Sequence, residues 1–106
     1  MSSPTTEKRM PPVHPGEILM EEFLKPLHMS QNRLAVEISV PAKRIGEIIQ
    51  GKRRINADTA LRLARYFNMT PQYWMGLQAD YNLDVAMDES EEKINMEIRP
   101  MSVSVV

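Results

Sequence analysis

The spacing of apolar residues between positions 31 and 50 predicts two short helices separated by a tight turn. Leu34, Ala35 and Ile38 recur at i, i+1 and i+4, which places them on one face of the first helix. The second helix has an inward stripe spaced i, i+3, i+4, which consists of Ile45, Ile48 and Ile49. A turn of three residues between two such helices is typical of the DNA-binding helix-turn-helix, whose second helix lies in the major groove. An ordinary helical hairpin is the alternative.

Local signals mark the ends of these two helices. Ser30 can accept a hydrogen bond from a free N–H group of the first turn, so we predict that it is an N-cap. Pro41 cannot extend the first helix, but its fixed φ suits the start of the second. Gly51 supplies the left-handed residue that commonly ends helices.

Three further stripes predict a helical frame around this motif. The first of the five predicted helices precedes the motif: it begins at Pro15 and ends near Lys25 because of Pro26. Its expected inward residues are Leu19, Met20, Phe23, Leu24 and Leu27. The two helices of the motif are the second and third, and the fourth helix follows them. It is capped by Asn56 and ended by Asn68, and its expected buried stripe is Ala60, Leu61, Ala64 and Phe67. The fifth starts at Thr70-Pro71 and carries Tyr73, Trp74, Leu77 and Tyr81 on one side.

The C-terminal segment differs in character from the rest. Residues 88–92 are mostly acidic, and then Ile94, Met96 and Ile98 alternate with polar residues, as do Val103 and Val105. Period-two alternation is typical of a strand, which needs a sheet partner; an unstructured tail is the alternative. The interpretation is a flexible arm over 1–13, one domain over 14–86, and an acidic linker and tail over 87–106.

Charge and composition favour a DNA-binding function over an enzymatic one. Residues 1–80 carry a net charge of +3 and residues 81–106 a net charge of −4, while the stretch 43–54 alone carries +4. A basic cluster at both ends of an exposed helix indicates a duplex backbone as partner. The chain has no cysteine and only two histidines, without the spacing of a zinc helix or a glycine-rich phosphate loop. We therefore expect no enzyme and no cofactor. No apolar run long enough to span a membrane or serve as a signal core is present, so the cytoplasm is the expected compartment.

Several segments together resemble a known family. They are Pro12 to Glu17, the helix-turn-helix with Gly51-Lys52-Arg53-Arg54-Ile55, the segment Ala57 to Leu63, and Thr70 to Trp74 with Leu77-Gln78. Over roughly residues 12–83 the chain resembles the HigA antitoxins, which are Xre-type helix-turn-helix regulators akin to lambda-type repressors. The chain departs from many such proteins at the turn, where Ser39 replaces the usual glycine, and Gly46 is unusual on an exposed recognition face.

The resemblance implies an all-α, five-helix, lambda-repressor-like domain. It also implies a homodimer that binds double-stranded operator DNA in its own promoter and neutralises a HigB-like toxin, an mRNA-cleaving ribonuclease. A stand-alone, phage-like Xre-family repressor without a toxin is the alternative. The toxin could contact the acidic stretch from Asp84 to Glu92 with the strand that follows it, or the N-terminal arm and first helix through Glu17, Glu21 and Glu22.

The candidate site residues fall into three sets. The expected contacts to DNA bases are Ala42, Lys43, Glu47 and Gln50. The expected contacts to DNA phosphates are Gln31, Arg33, Arg44, Lys52, Arg53 and Arg54. The expected dimer surface consists of Tyr73, Met75, Tyr81, Leu83 and Val85.

Overall fold

A computed structural model describes residues 10–102 of the chain, and over this range it consists of five helices and no strand. Helix α1 starts as an α-helix over Pro15–Ile18 and continues without a break as a π-helix over Leu19–Leu24. The others are α2 (Gln31–Glu37), α3 (Ala42–Ile49), α4 (Ala57–Phe67) and α5 (Pro71–Glu97). This confirms the predicted all-α architecture. Over the same range, no helix combines the length and apolarity needed to cross a membrane.

The core is built from all five helices. The side chains that are fully out of contact with solvent include Leu19, Leu24, Leu34, Ile45, Ile48, Leu63 and Trp74. The ring of Phe23 connects α1 to the C-terminal helices, because its centroid lies 4.9 Å from that of Phe67 and 5.0 Å from that of Trp74. Trp74 Nε1 finds no hydrogen-bond acceptor among the described residues, so the indole stabilises the core by packing alone.

Helix α1 packs against α3 at a contact that only glycine allows. Gly16 is buried, and a Cβ atom at this position would overlap the carbonyl oxygen of Ile48. The end of α3 is thereby held directly against the start of α1. His14 caps this start, since its Nδ1 accepts a hydrogen bond from the N–H of Gly16 at 2.9 Å.

The predicted helix ends are largely confirmed. Ser30 Oγ accepts from the N–H of Arg33 at 3.0 Å, and Asn56 Oδ1 accepts from the N–H of Thr59 at 2.9 Å. Asn68 closes α4 in the left-handed region, with φ 56°. Thr70 occupies the N-cap position of α5, but its side chain makes no capping hydrogen bond.

Two apolar residues expected in the core lie at the surface. Leu27 is 54% exposed and Leu61 is 59% exposed, so both predictions are wrong. Leu27 follows Pro26 in the turn after α1, where the helical spacing no longer applies. In α4 the buried stripe runs through Thr59, Ala60, Leu63 and Ala64, which places Leu61 on the opposite side of the helix.

The C-terminal segment is helical where a strand and a linker were expected. Helix α5 runs unbroken through the proposed boundary at residue 87, and Ile94 and Met96 lie in its last turns. No proline interrupts the chain between Pro71 and Pro100, so an established helix can propagate residue by residue. The helix ends at Glu97, and Ile98 is already extended; Pro100 disfavours a helical conformation at the residue before it, Arg99, so the helix stops shortly before this point. Val103 and Val105 lie outside the described residues.

Candidate nucleic-acid interface

Helix α3 presents one face to solvent while the opposite face anchors it. Ile45 and Ile48 are fully buried and Ile49 is half-buried, which fixes the rotation of the helix on the core. The four predicted base-contact residues all lie on the other side. Ala42, Lys43 and Gln50 are exposed, and Glu47 is partly exposed. Their exposure on one face is the arrangement that base reading requires.

A shallow depression runs along this exposed face. It has a volume of about 280 Å³ and is lined by Lys43, Gly46, Glu47, Gln50 and Lys52. Gly46 forms its floor opposite Gln31, because a Cβ atom at Gly46 would lie 3.8 Å from Gln31 Oε1. The glycine that was unexpected on this face therefore keeps the surface low beside the start of α2.

The start of α2 places two of the predicted phosphate contacts beside α3. Gln31 is half-buried at the first helical position, and Arg33 is exposed one position before the buried Leu34. Arg33 Nε donates a hydrogen bond to Glu37 Oε2 at 2.7 Å. This hydrogen bond and the negative charge of Glu37 raise the pKa of the Arg33 guanidinium above its ordinary value.

The chain leaves α3 through a turn that displays three cations in succession. Gly51 has φ 78°, and the N–H groups of Gly51 and Lys52 donate to the carbonyl oxygens of Ile48 and Glu47 at 3.0 and 2.8 Å. This confirms the predicted left-handed helix end. Residues 52–54 are all exposed, and the chain is fixed again at the buried Ile55.

Gln78 holds the far end of this cationic segment, a role that the sequence did not reveal. It is only 4% exposed, and its Oε1 accepts a hydrogen bond from the N–H of Ile55 at 2.7 Å. Its Nε2 donates to Asn82 Oδ1 at 2.9 Å. A buried amide that satisfies a backbone N–H fixes the loop between α3 and α4 onto α5. A glutamine on the apolar side of a predicted helix was the only available hint.

Arg62 connects α4 to the turn of the helix-turn-helix. Its Nη1 donates to the carbonyl oxygens of Ile38 at 2.9 Å and Ser39 at 3.2 Å. Its Nε donates to Asp58 Oδ2 at 2.8 Å, and the same oxygen lies 3.4 Å from Arg44 Nη1. Arg62 thus ties the C-terminal end of α2 to the helix that supports α3.

The five residues predicted for a dimer surface all lie on α5. Tyr73 and Met75 are each 39% exposed and Leu83 is 59% exposed, while Tyr81 and Val85 are half-buried. The ring of Tyr81 packs edge-on against His14, with centroids 4.8 Å apart. Helical spacing places Met75 and Leu83 on one side of α5 and Tyr81 with Val85 on another.

Among residues 10–102, no cluster of three or more histidine, aspartate or glutamate side chains is arranged to hold a metal ion. The exposed face of α3, with cations at both of its ends, is the most distinctive chemical surface in this range. Cations on such a surface can bind DNA phosphates, and its exposed polar side chains can form hydrogen bonds with base edges.

Comparison with known proteins identifies related chains. A family model described as helix-turn-helix matches residues 20–74. Virulence-associated protein I of Dichelobacter nodosus is 46% identical over 102 residues, which cover 96% of this chain and 93% of that protein. The solved structure of Pseudomonas aeruginosa antitoxin HigA with the higBA promoter has a TM-score of 0.84 at 42% identity, covering 86% and 99% of the two chains. An addiction module antidote protein of the HigA family from Coxiella burnetii has a TM-score of 0.83 at 46% identity, covering 87% and 100%.

Proposed function

The chain belongs to the helix-turn-helix family of the HigA antitoxins, and from this premise we propose that it is a dimeric repressor that binds operator DNA and neutralises a toxin. Members of this family are DNA-binding regulators and not enzymes. The observation that carries the proposal is the exposed face of α3, flanked by cations and anchored from behind by Ile45 and Ile48. Its operator would lie in its own promoter, and it would act in the cytoplasm, where that DNA is found.

Base reading is assigned to α3 in this proposal. Lys43 can donate to guanine acceptors, Gln50 can pair with adenine, and Glu47 can accept from the amino group of cytosine. Ala42 offers only a methyl group, which suits contact with thymine. The shared depression that Lys43, Glu47 and Gln50 line would follow the edges of successive base pairs.

Phosphate contacts hold α3 in register. Gln31 and Arg33 at the start of α2 would contact phosphates on one side of the groove, and Lys52, Arg53 and Arg54, which follow α3, would contact those on the other. Arg44, on α3 itself, completes the set. Contacts of this kind supply affinity and orientation but carry no sequence information.

A homodimer is proposed because of the small surface that one copy of the chain can bury on DNA. A single small module buries too little surface for tight and specific binding, so two copies would place their α3 helices about 34–36 Å apart on an inverted repeat. Helix α5 would supply the contact, through Tyr73, Met75, Tyr81, Leu83 and Val85.

The toxin partner is proposed to be a HigB-like ribonuclease that cleaves mRNA. A ribonuclease needs a positive surface for its substrate, and the outer half of α5 is rich in carboxylates between residues 84 and 92. Opposite charges would steer the two proteins together. The competing surface is α1 with Glu17, Glu21 and Glu22. Strand addition by residues 94–99 is not part of the proposal, because residues 94–97 are helical.

The test measures DNA binding and toxin inhibition separately. Gln50→Ala should cost about 1–3 kcal/mol on the chain's own promoter and relax specificity at one base pair, whereas Gln72→Ala on the exposed start of α5 should change nothing. Equal losses on promoter and random DNA would remove Gln50 from base reading. In an RNA-cleavage assay, changing Glu89, Glu91 and Glu92 together to glutamine should weaken inhibition of the toxin more than changing Glu21 and Glu22. The reverse order would move the contact to α1.

A further inference from the structure

The cations assigned to DNA binding are mostly engaged by carboxylates of the same chain. Arg33 pairs with Glu37, Lys43 and Arg53 pair with Glu47, and Arg44 pairs with Asp58, with N–O distances of 2.7 to 3.9 Å. Only Lys52 and Arg54 of this set have no carboxylate within 4 Å in the part of the chain that the structure describes. Three carboxylates therefore offset about half of the six positive charges of this surface before any duplex arrives.

Glu47 has a special position among these carboxylates. It lies in the middle of the exposed face of α3, and its two oxygens engage two different cations. Glu47 Oε1 accepts a hydrogen bond from Arg53 Nε at 2.9 Å, and Glu47 Oε2 lies 3.9 Å from Lys43 Nζ. Glu47, which lines the depression, thus bridges Lys43 on α3 and Arg53 in the exit segment, residues 52–54.

From this geometry we propose that Glu47 determines specificity by opposing DNA of the wrong sequence, in addition to any base that it reads. On a random duplex its carboxylate keeps Lys43 and Arg53 occupied and repels nearby phosphates. On the operator, a base amino group takes over as hydrogen-bond donor to Glu47, and the two cations are released to the phosphates. The inference rests on the proposed DNA-binding function and specifies how one residue of that site acts.

The physical basis is that specificity is a difference between two affinities. Non-specific binding comes almost entirely from cations that displace counterions from phosphates, so a residue that occupies those cations lowers it directly. A repulsive group discriminates as effectively as an attractive one, provided that the correct partner compensates it. Cytosine N4 in the major groove is such a compensating donor for glutamate.

The experiment compares Glu47→Gln with Glu21→Gln on random and promoter duplexes. Both variants lose one negative charge, but among the described residues Glu21 pairs with Lys25 alone, at 2.8 Å, and neither of these two residues is assigned to DNA. Glu47→Gln should bind random DNA about three- to tenfold more tightly, with a log–log salt slope steeper by about one to two because Lys43 and Arg53 become available. Its preference for the promoter should fall, and Glu21→Gln should match the unchanged protein.

A second pair of variants tests whether the effect passes through Arg53. In an Arg53→Ala background, Glu47→Gln should gain less on random DNA, and its salt slope should steepen by about one unit less. The inference is overturned if Glu47→Gln binds random DNA no more tightly than the unchanged protein, or if Glu21→Gln gains as much. Failure of the unchanged protein to prefer its promoter over random DNA would instead overturn the proposed function.

Discussion

Arg62 donates a hydrogen bond from Nη1 to the carbonyl oxygen of Ser39, 3.2 Å away in the turn between α2 and α3. Ser39 has φ 59°, in the left-handed region that L-residues enter at a cost. The same Nη1 also donates to the carbonyl oxygen of Ile38 at 2.9 Å. A side chain of α4 therefore satisfies the carbonyl groups at the end of α2 and holds a strained turn in place.

The first prediction concerns the hydrogen bonds with which Arg62 supports this turn. Arg62→Ala should lower the free energy of unfolding by about 1 kcal/mol, since the hydrogen bonds lie at a partly exposed site. Arg65→Ala, three residues later on the same helix and exposed, should change it little. Urea unfolding of both variants measures the difference, and equal midpoints would contradict a supporting role for Arg62.

The second prediction concerns the strain itself. Ser39→Gly should raise the free energy of unfolding by up to about 1 kcal/mol, because glycine adopts positive φ without the penalty of a Cβ atom and loses part of this gain through its larger entropy when unfolded. Gly51→Ala, at φ 78°, should lower it by a similar amount. Thermal unfolding measures both; a loss of stability in Ser39→Gly would show that the turn is not strained.

The third prediction contrasts two glycines. Gly16→Ala should destabilise the fold by about 3 kcal/mol, because its methyl group would meet backbone atoms of α3 that cannot move aside. Gly76→Ala should stabilise it by about 0.5–1 kcal/mol, since this position in α5 has open space and alanine favours helix. Denaturant titration distinguishes them by the sign of the change, and a tolerated Gly16→Ala would argue against the close approach of α1 and α3.

The fourth prediction concerns acid. Burial lowers the pKa of His14 from its ordinary value of 6.5, and Nδ1 must be unprotonated to accept from Gly16. His14 therefore takes up a proton less readily in the folded chain than in the unfolded chain. The stability that the neutral His14 cap provides is present above pH 6.5 and is lost as the pH falls below that value. Asparagine also caps helices but does not titrate. His14→Asn should show a shallower loss of stability between about pH 7.5 and about pH 5.5, and identical losses would contradict the assignment.

The fifth prediction concerns Lys52 and Arg54, the two assigned cations without a carboxylate partner among the described residues. Replacing either with alanine should reduce the log–log salt slope of promoter binding by about 0.9, the value for one phosphate contact. Lys25→Ala, directly after α1, should leave the slope unchanged. Fluorescence anisotropy at several salt concentrations provides the slopes, and unchanged slopes in both variants would remove the exit segment from the interface.

Patterns that depend on neighbouring residues were readable from the sequence, whereas contacts between distant residues were not. The caps Ser30 and Asn56 and the helix end at Gly51 follow from residue type and immediate context. The bond from Arg62 to Ser39 and that from Ile55 to Gln78 join residues 23 positions apart, and a single sequence carries no record of such pairs. Leu61 was placed in the core because it is apolar, whereas the buried stripe of α4 runs through Leu63 and leaves Leu61 outside it.

The C-terminal segment was misread for a different reason. Ile94, Met96 and Ile98 alternate with polar residues, but alternation over so few positions is also compatible with the end of a helix. Helix α5 supplies a preformed turn on which the next residue can add a hydrogen bond, which is cheaper than starting a strand without a partner. The ion pair between Lys93 and Glu97, 3.8 Å apart, adds an i, i+4 contact.

The burial of Trp74 gives this chain an internal optical probe. It is the only tryptophan in the sequence, it is fully shielded from solvent, and the rings of Phe23 and Tyr73 lie 5.0 and 5.1 Å away. An indole enclosed in this way emits at shorter wavelength than one in water, so its emission follows the opening of the core where α1 meets α5. Because the indole has no exposed surface that a duplex could touch, a change in its emission reports a rearrangement of the core, and DNA that docks on the α3 face of a folded chain should leave it unchanged.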